Sequence, residues 1–137
     1  AMMVSHFYDF LPLLSQALGG ATKEVVPDNR LARIRTLIDA RMGDGNFSIN
    51  DVAEAEGITP RAIQKLFSRE GTTFSRLVLE RRLERAKAVM MASGERMSIA
   101  EVAYQCGFND LSYFNRSFRT RYQILPSDLK RQVQPAA

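Results

Sequence analysis

The sequence contains one stretch twice: SINDVAEAEGI at residues 48–58 and SIAEVAYQCGF at residues 98–108. Both copies have Ser, Ile, Val, Ala and Gly at matching positions, 50 residues apart. In each copy an acidic residue follows the serine after three positions, which is the capping-box pattern that begins a helix. A glycine follows the alanine after four positions, where it can end that helix with a positive φ. The repeat therefore predicts two copies of one helical unit in a chain of 137 residues.

A second helix is predicted after each glycine, over about residues 59–69 and 110–121. Thr59 is the expected N-cap of the first, with Pro60 as its first residue, and Asp110 is the expected N-cap of the second. The apolar positions expected to face a core are Ile63, Leu66 and Phe67 in the first helix and Phe114 and Phe118 in the second. A helix, a tight turn with glycine and a second helix form the helix-turn-helix pattern, so two such units are predicted.

The remaining segments are also predicted to be helical, so the expected fold class is all-α. Two helix-turn-helix subdomains are joined by a long connecting helix, and an extra N-terminal helix precedes them. The first unit is expected over residues 28–72, and it opens with a helix that Asp28 caps. The connecting helix is expected over residues 73–93, with one apolar stripe made of Leu79, Leu83, Ala86 and Met90. The second unit is expected over residues 94–132, with a last short helix from Pro126, followed by a tail at 133–137.

Residues 1–27 are interpreted as a short amphipathic helix, over about residues 4–18, followed by a linker. Ala1 precedes two methionines, which is typical of an excised piece of a longer protein. We therefore expect this segment to be a remnant of the connection to a missing effector domain. The alternative is a helix that packs on the DNA-binding domain or on a second copy of it.

Composition argues against catalysis. The chain has one histidine, His6, and one cysteine, Cys106, which leaves little material for base catalysis, a disulfide or a zinc site. It has no glycine-rich phosphate loop and no close carboxylate pair, so we expect neither an enzyme nor a metal or cofactor. No apolar run approaches the roughly 20 residues that span a bilayer, so a cytoplasmic protein without membrane contact is expected.

Charge is distributed unevenly along the chain. The net charge is +4, yet the first 57 residues hold 5 basic and 8 acidic side chains. The remaining residues hold 14 basic and 7 acidic side chains, so the positive charge is concentrated there. A basic bias within one small domain favours a polyanion as partner, because neutralised phosphates release counterions.

With these motifs in place, residues from about 30 to 131 resemble the C-terminal DNA-binding domain of the AraC/XylS family of bacterial transcription regulators. The resemblance is carried by the two repeated motifs, by Arg82-Leu83-x-x-Ala86 and by the segment SYFNRSFR at residues 112–119. The family's usual tail has an aromatic residue, Gly, an aliphatic residue, Ser or Thr, Pro and, four residues later, Arg. Here the tail reads Tyr122-Gln123-Ile124-Leu125-Pro126, with Lys130 in place of the arginine.

The resemblance implies that the second helix of each unit reads DNA, and the residues that point away from the predicted cores agree with this. Gln suits the edge of adenine, and Arg or Lys suits that of guanine. The candidates for DNA binding are Arg61, Gln64, Lys65 and Ser68 in the first unit and Ser112, Tyr113, Asn115, Arg116 and Arg119 in the second. Arg116 is the strongest single candidate. For Tyr113, packing in the core is preferred over contact with thymine methyl groups.

The leading hypothesis is a sequence-specific transcription regulator that places its two recognition helices in successive major-groove segments of double-stranded DNA. RNA polymerase is expected as a second partner, and self-association is expected through a domain not present in this chain. The protein is expected to be associated with the bacterial nucleoid. The alternative is an all-helical protein-interaction domain without DNA binding, in which the repeat is only a packing device.

Overall fold

The computed structural model describes residues 26–133. Within this range the chain forms seven α-helices, one 3₁₀ turn and no strand, so the predicted all-α class is confirmed. The helices are α1 (Val26–Arg41), α2 (Ile49–Glu56), α3 (Pro60–Arg69), α4 (Phe74–Ser93), α5 (Ile99–Gln105), α6 (Leu111–Tyr122) and α7 (Pro126–Val133), with the 3₁₀ turn at Gly94–Arg96. The predicted N-terminal helix at residues 4–18 and the end of the tail lie outside the described residues.

The predicted start of α1 is wrong, because an N-cap at Asp28 would make Asn29 the first helical residue, three residues after the observed start. The sequence indicated Asp28 as its N-cap, whereas the helix begins at Val26 and Asp28 lies inside it. The physical reason is that the first turn of a helix has N–H groups without intrahelical partners, so Pro27 does not block it. The sequence predicts one apolar stripe on this helix, made of Leu31, Ile34, Leu37, Ile38 and Met42. Four of these residues are buried as predicted, and Leu37 is only partly buried against the same core.

Both helix-turn-helix units form as their caps predict. The hydroxyl of Thr59 accepts a hydrogen bond from the backbone N–H of Ala62 over 3.1 Å. The carboxylate of Asp110 accepts from the N–H groups of Ser112 and Tyr113, over 2.9 and 3.3 Å. The turn glycines have φ values of 67° at Gly57 and 95° at Gly107, in the left-handed region that residues with a Cβ rarely adopt. The turns therefore have the predicted geometry.

Each unit has its own hydrophobic core, and α4 contributes to both. Its N-terminal half places Phe74 and Val78 in the first core, with Ile63 and Phe67 of α3. From Leu83 onwards it contributes to the second core, where Leu83, Ala86 and Met90 are buried. These residues share that core with Phe114 and Phe118 of α6. Leu79, predicted on the same stripe, is only partly buried. At about 1.5 Å per residue, the 20 residues of α4 form a rod between the two units.

The turn after α6 has a positive φ at the position where the family's tail usually has glycine. Gln123 occupies the position of the family's glycine and adopts a φ of 60°. Its side-chain amide donates to the carbonyl oxygen of Thr120 over 3.1 Å. The following helix α7 begins at Pro126 as predicted. None of the helices in residues 26–133 is long and apolar enough to cross a membrane.

Candidate nucleic-acid interface

Helix α3 is anchored by one face and presents the other to solvent. Ile63 and Phe67 are fully buried, which turns the opposite face outward. The four side chains predicted to bind DNA on this helix are all exposed: Arg61, Gln64, Lys65 and Ser68. This face carries two cations and two hydrogen-bonding groups, the side chains that bind phosphates and base edges.

Helix α6 repeats this arrangement in the second unit. Phe114 and Phe118 are fully buried, with their ring centroids 5.6 Å apart. Of the five side chains predicted to bind DNA on this helix, four are exposed: Ser112, Tyr113, Arg116 and Arg119. Asn115, the fifth, is half-buried, so less of its amide is open to a partner.

The predicted position of Tyr113 in the core is wrong. Its side chain is 44% exposed, and its ring lies beside that of Phe108, with centroids 6.3 Å apart. The physical reason is the periodicity of α6: the inward positions are taken by Phe114 and Phe118, and Tyr113 precedes the first by about 100° around the helix axis. Its exposed ring borders the surface between the two units.

The four candidate cations on the outer faces of α3 and α6 form no ion pair within residues 26–133, whereas half of the other arginines and lysines there do. Within the described residues, ion pairs hold Arg30 and Arg33 to Glu56, and Arg76, Arg81 and other arginines have carboxylate partners too. No ion pair in residues 26–133 involves the cations of the candidate interface, which are Arg61, Lys65, Arg116 and Arg119. Positive charge without a carboxylate partner is available to phosphates.

Two clefts beside α4 bring candidates from both units to the same surface. The first, of about 770 Å³, is lined by Gln64 and Ser68 of α3, by α4 and by Tyr113 of α6. The second, of about 800 Å³, is lined by α4, Tyr113 and Arg116. Because Tyr113 and Leu79 line both clefts, the clefts are neighbours along α4. The two second helices therefore flank one concave surface, with α4 as its floor.

Four polar residues at the N-cap of α4 and within it also lie on this surface, and none of them was among the predicted site residues. Thr73, Ser75 and Arg82 line the first cleft, and Arg76 lines the second. Ser75, Leu79 and Arg82 follow at steps of four and three, so they share one side of the helix. This spacing is the signal in the sequence that identifies this side of α4.

Arg82 is half-buried on this floor and is bound to backbone. Its Nε donates to the carbonyl oxygen of Met42 over 2.8 Å, and its second terminal nitrogen donates to that of Asp44 over 3.1 Å. Burial lowers the pKa of this guanidinium from its ordinary value, while the charges of Asp44 and Tyr113 act in the opposite direction. Two nitrogens of the Arg82 guanidinium therefore already donate to backbone carbonyl oxygens of the protein.

Comparison with known proteins agrees with this geometry. Residues 52–132 match the helix-turn-helix domain family. The chain is 60% identical over 135 residues to the transcriptional activator RhrA of Rhizobium meliloti strain 1021, covering 98% of this chain and 43% of that protein. It is 33% identical over 96 residues to the transcriptional activator NphR of a Rhodococcus species, covering 70% of this chain and 28% of that protein. A transcriptional regulator of Chromobacterium violaceum with an AraC-type DNA-binding domain superposes with a TM-score of 0.68 at 28% identity, covering 80% of this chain and 96% of that one.

The chain belongs to the helix-turn-helix family of AraC type. This family is that of the DNA-binding domain of transcription regulators and is not a family of enzymes. The alternative of a protein-interaction domain without DNA binding is not favoured. The chain spans less than half the length of the two curated relatives.

Proposed function

We propose that this protein binds DNA in a sequence-specific manner, with α3 and α6 in successive major-groove segments on one side of the duplex. The observation that carries the proposal is the exposed positive charge on both second helices, which has no ion-pair partner within residues 26–133 and lies beside one shared concave surface. Two recognition helices on one rigid support can reach major-groove segments about one helical turn, roughly 34 Å, apart.

The proposed contacts divide between the two helices. In α3 the base and phosphate contacts come from Arg61, Gln64, Lys65 and Ser68. In α6 they come from Ser112, Tyr113, Asn115, Arg116 and Arg119. Arg and Lys recognise guanine O6 and N7 or phosphate oxygens, and Gln recognises the N6 and N7 edge of adenine. The exposed Tyr113 ring of α6 lines the same cleft as Gln64 and Ser68 of α3, where apolar contact with a thymine methyl group becomes available.

A selection from a random duplex library with the purified chain tests this proposal, followed by a salt titration of the selected site against an unrelated duplex. We expect two short enriched motifs about one helical turn apart. The affinity for both duplexes should fall steeply with salt, because phosphate contacts release counterions. Salt-sensitive binding without enrichment would contradict sequence-specific recognition, and a lack of binding at low salt would contradict DNA recognition by these helices.

A matched pair of variants locates the interface. Arg116→Ala and Arg33→Ala each remove one arginine, but Arg33 lies on α1 and is bonded to Glu56 over 3.0 Å. We expect Arg116→Ala to weaken binding and Arg33→Ala to leave it nearly unchanged. Equal effects of the two variants would argue for a diffuse electrostatic attraction in place of a recognition surface.

We further propose that the complete regulator activates transcription, since both curated relatives carry that name. On this proposal the DNA-bound protein contacts RNA polymerase at the nucleoid, and self-association uses a domain outside this chain. Transcription in vitro from a template with the selected site upstream of a promoter tests it, and repression in that assay would contradict it.

A further inference from the structure

The two helix-turn-helix units share α4, and a helix alone does not define how they are oriented. Phe74 and Val78 belong to the first core, and Leu83, Ala86 and Met90 belong to the second. The boundary between the two cores falls between Val78 and Leu83. Contacts that cross this boundary would restrain one unit against the other in addition to the shared helix.

Arg82 lies at this boundary and binds the loop between α1 and α2. Its guanidinium donates to two carbonyl oxygens of the loop, those of Met42 and Asp44, over 2.8 and 3.1 Å. A planar guanidinium that donates two hydrogen bonds restrains orientation as well as distance, which an ammonium group does not. The loop is anchored in the first core, because Met42 and Phe47 at its two ends are buried there.

The turn of the second unit binds the same loop. The side-chain amide of Asn109 donates to the carbonyl oxygen of Gly45 over 3.2 Å. Gly107 approaches so closely that a Cβ there would collide with the carbonyl oxygen of Met42 and would lie 2.7 Å from Nε of Arg82. The loop is therefore held from α4 on one side and from the turn between α5 and α6 on the other.

We infer that Arg82, Gly107 and Asn109 form a clamp on the loop at residues 42–46 that sets the separation and relative orientation of the two recognition helices. Arg82 is a positioning residue in this account and does not contact DNA itself. The clamp determines which spacing between two major-groove motifs the protein accepts. This last step rests on the proposed function, whereas the restraint between the units does not.

Measurement of the spacing preference tests the consequence for DNA. The selected site is prepared with its original spacer and with spacers one and two base pairs shorter or longer. Each added base pair rotates the second motif by about 35° and moves it about 3.4 Å. We expect the wild type to lose about tenfold in affinity per base pair and Arg82→Lys to lose less than about threefold, because flexibly linked modules tolerate more geometries.

The choice of variants separates a loss of positioning from a loss of charge or fold. Arg82→Lys keeps the positive charge and loses the two-pronged donor. Arg85→Ala removes an exposed arginine from the same helix and should keep the wild-type preference. Asn109→Ala removes the second contact from an exposed position, so it provides the test if Arg82→Lys fails to fold. Folded variants with an unchanged spacing preference would overturn the inference.

A distance measurement without DNA keeps the inference separate from the proposed function. Spin labels at Glu54 on α2 and Tyr104 on α5, both exposed, report the separation of the two units. The labels are introduced as Glu54→Cys and Tyr104→Cys in a Cys106→Ala background. We expect a narrow distance distribution that broadens in Arg82→Lys and in Asn109→Ala. Unchanged widths in both variants would refute the clamp, whatever the protein does with DNA.

Discussion

The ammonium group of Lys130 donates a hydrogen bond to the carbonyl oxygen of Met97, with the two atoms 2.8 Å apart. Lys130 lies on α7, and Met97 directly follows the 3₁₀ turn at the start of the second unit. The bond therefore ties the last helix to the segment that leads into α5. Lys130 occupies the position at which the family's tail usually carries arginine. Its ammonium group is sufficient for this contact because only one carbonyl oxygen is bound.

Lys130→Met should destabilise the protein by about 1.5 to 3 kcal/mol, the usual range for a hydrogen bond to a charged group. The substitution keeps most of the aliphatic stem and removes only the donor. Urea unfolding followed by circular dichroism measures the free energy of unfolding. Lys130→Arg, which keeps a donor, is the control, and a loss of equal size in that variant would point to packing of the stem as the cause.

Gln123→Gly should raise stability by up to about 1 kcal/mol, because Gln123 adopts a φ of 60° at which a Cβ costs roughly 1 to 2 kcal/mol. The greater freedom of glycine in the unfolded chain offsets part of this gain. The matched control is Gly57→Ala at a φ of 67°, where no atom lies within 4 Å of the added Cβ. That variant should lose stability from backbone strain alone. Thermal unfolding of both variants tests whether stability rises in Gln123→Gly and falls in Gly57→Ala.

Asp110→Ala should cost about 1 kcal/mol of stability, the typical loss for an N-cap. Its carboxylate accepts two N–H groups of the first turn of α6, where Ser112 and Tyr113 begin the proposed contact surface. Asp110→Asn keeps an acceptor and should retain most of the stability. Denaturant unfolding of the two variants provides the test, and equal losses would exclude capping as the role of Asp110.

Arg116→Ala should cost about 1 to 3 kcal/mol of binding free energy on the selected site and relax one base preference if Arg116 contacts a base. If it contacts phosphate, binding to all sequences should weaken alike and the salt dependence should decrease by about one counterion. Titrations against the selected site and its single-base variants distinguish these results. Unchanged binding would remove Arg116 from the interface.

Alkaline pH should destabilise the protein partly through Cys106. Burial raises the pKa of this thiol, so it stays protonated in the folded state while it ionises in the unfolded chain. The unfolded state then binds fewer protons, and stability falls as pH rises above about 8.5, by at most about 1.4 kcal/mol per unit. Urea unfolding at pH 7.5 and 9.5, with reductant, should show a larger loss for the wild type than for Cys106→Ala. Burial raises the pKa of Tyr122 too, but both proteins share that contribution.

The helices, their caps and both turns could be predicted from the sequence because local patterns encode them. The capping pattern at Ser98, the apolar periodicity of Phe114 and Phe118 and the glycines at 57 and 107 each act within a few residues of chain. The start of α1 differs from the prediction because local preferences do not fix it: Asp28 is suited to an N-cap, and Pro27 is tolerated in the first turn of a helix. The outward faces of α3 and α6 follow from the same periodicity once the buried positions are known.

The sequence by itself therefore determined the two units and the residues that each presents to solvent. Only the tertiary structure decided that both recognition faces flank one concave surface and that Arg82 and Asn109 bind one loop. These contacts join residues 38 to 64 positions apart, such as Arg82 with Asp44 and Asn109 with Gly45. No local period relates such residues, because their proximity results from the packing of both cores on α4.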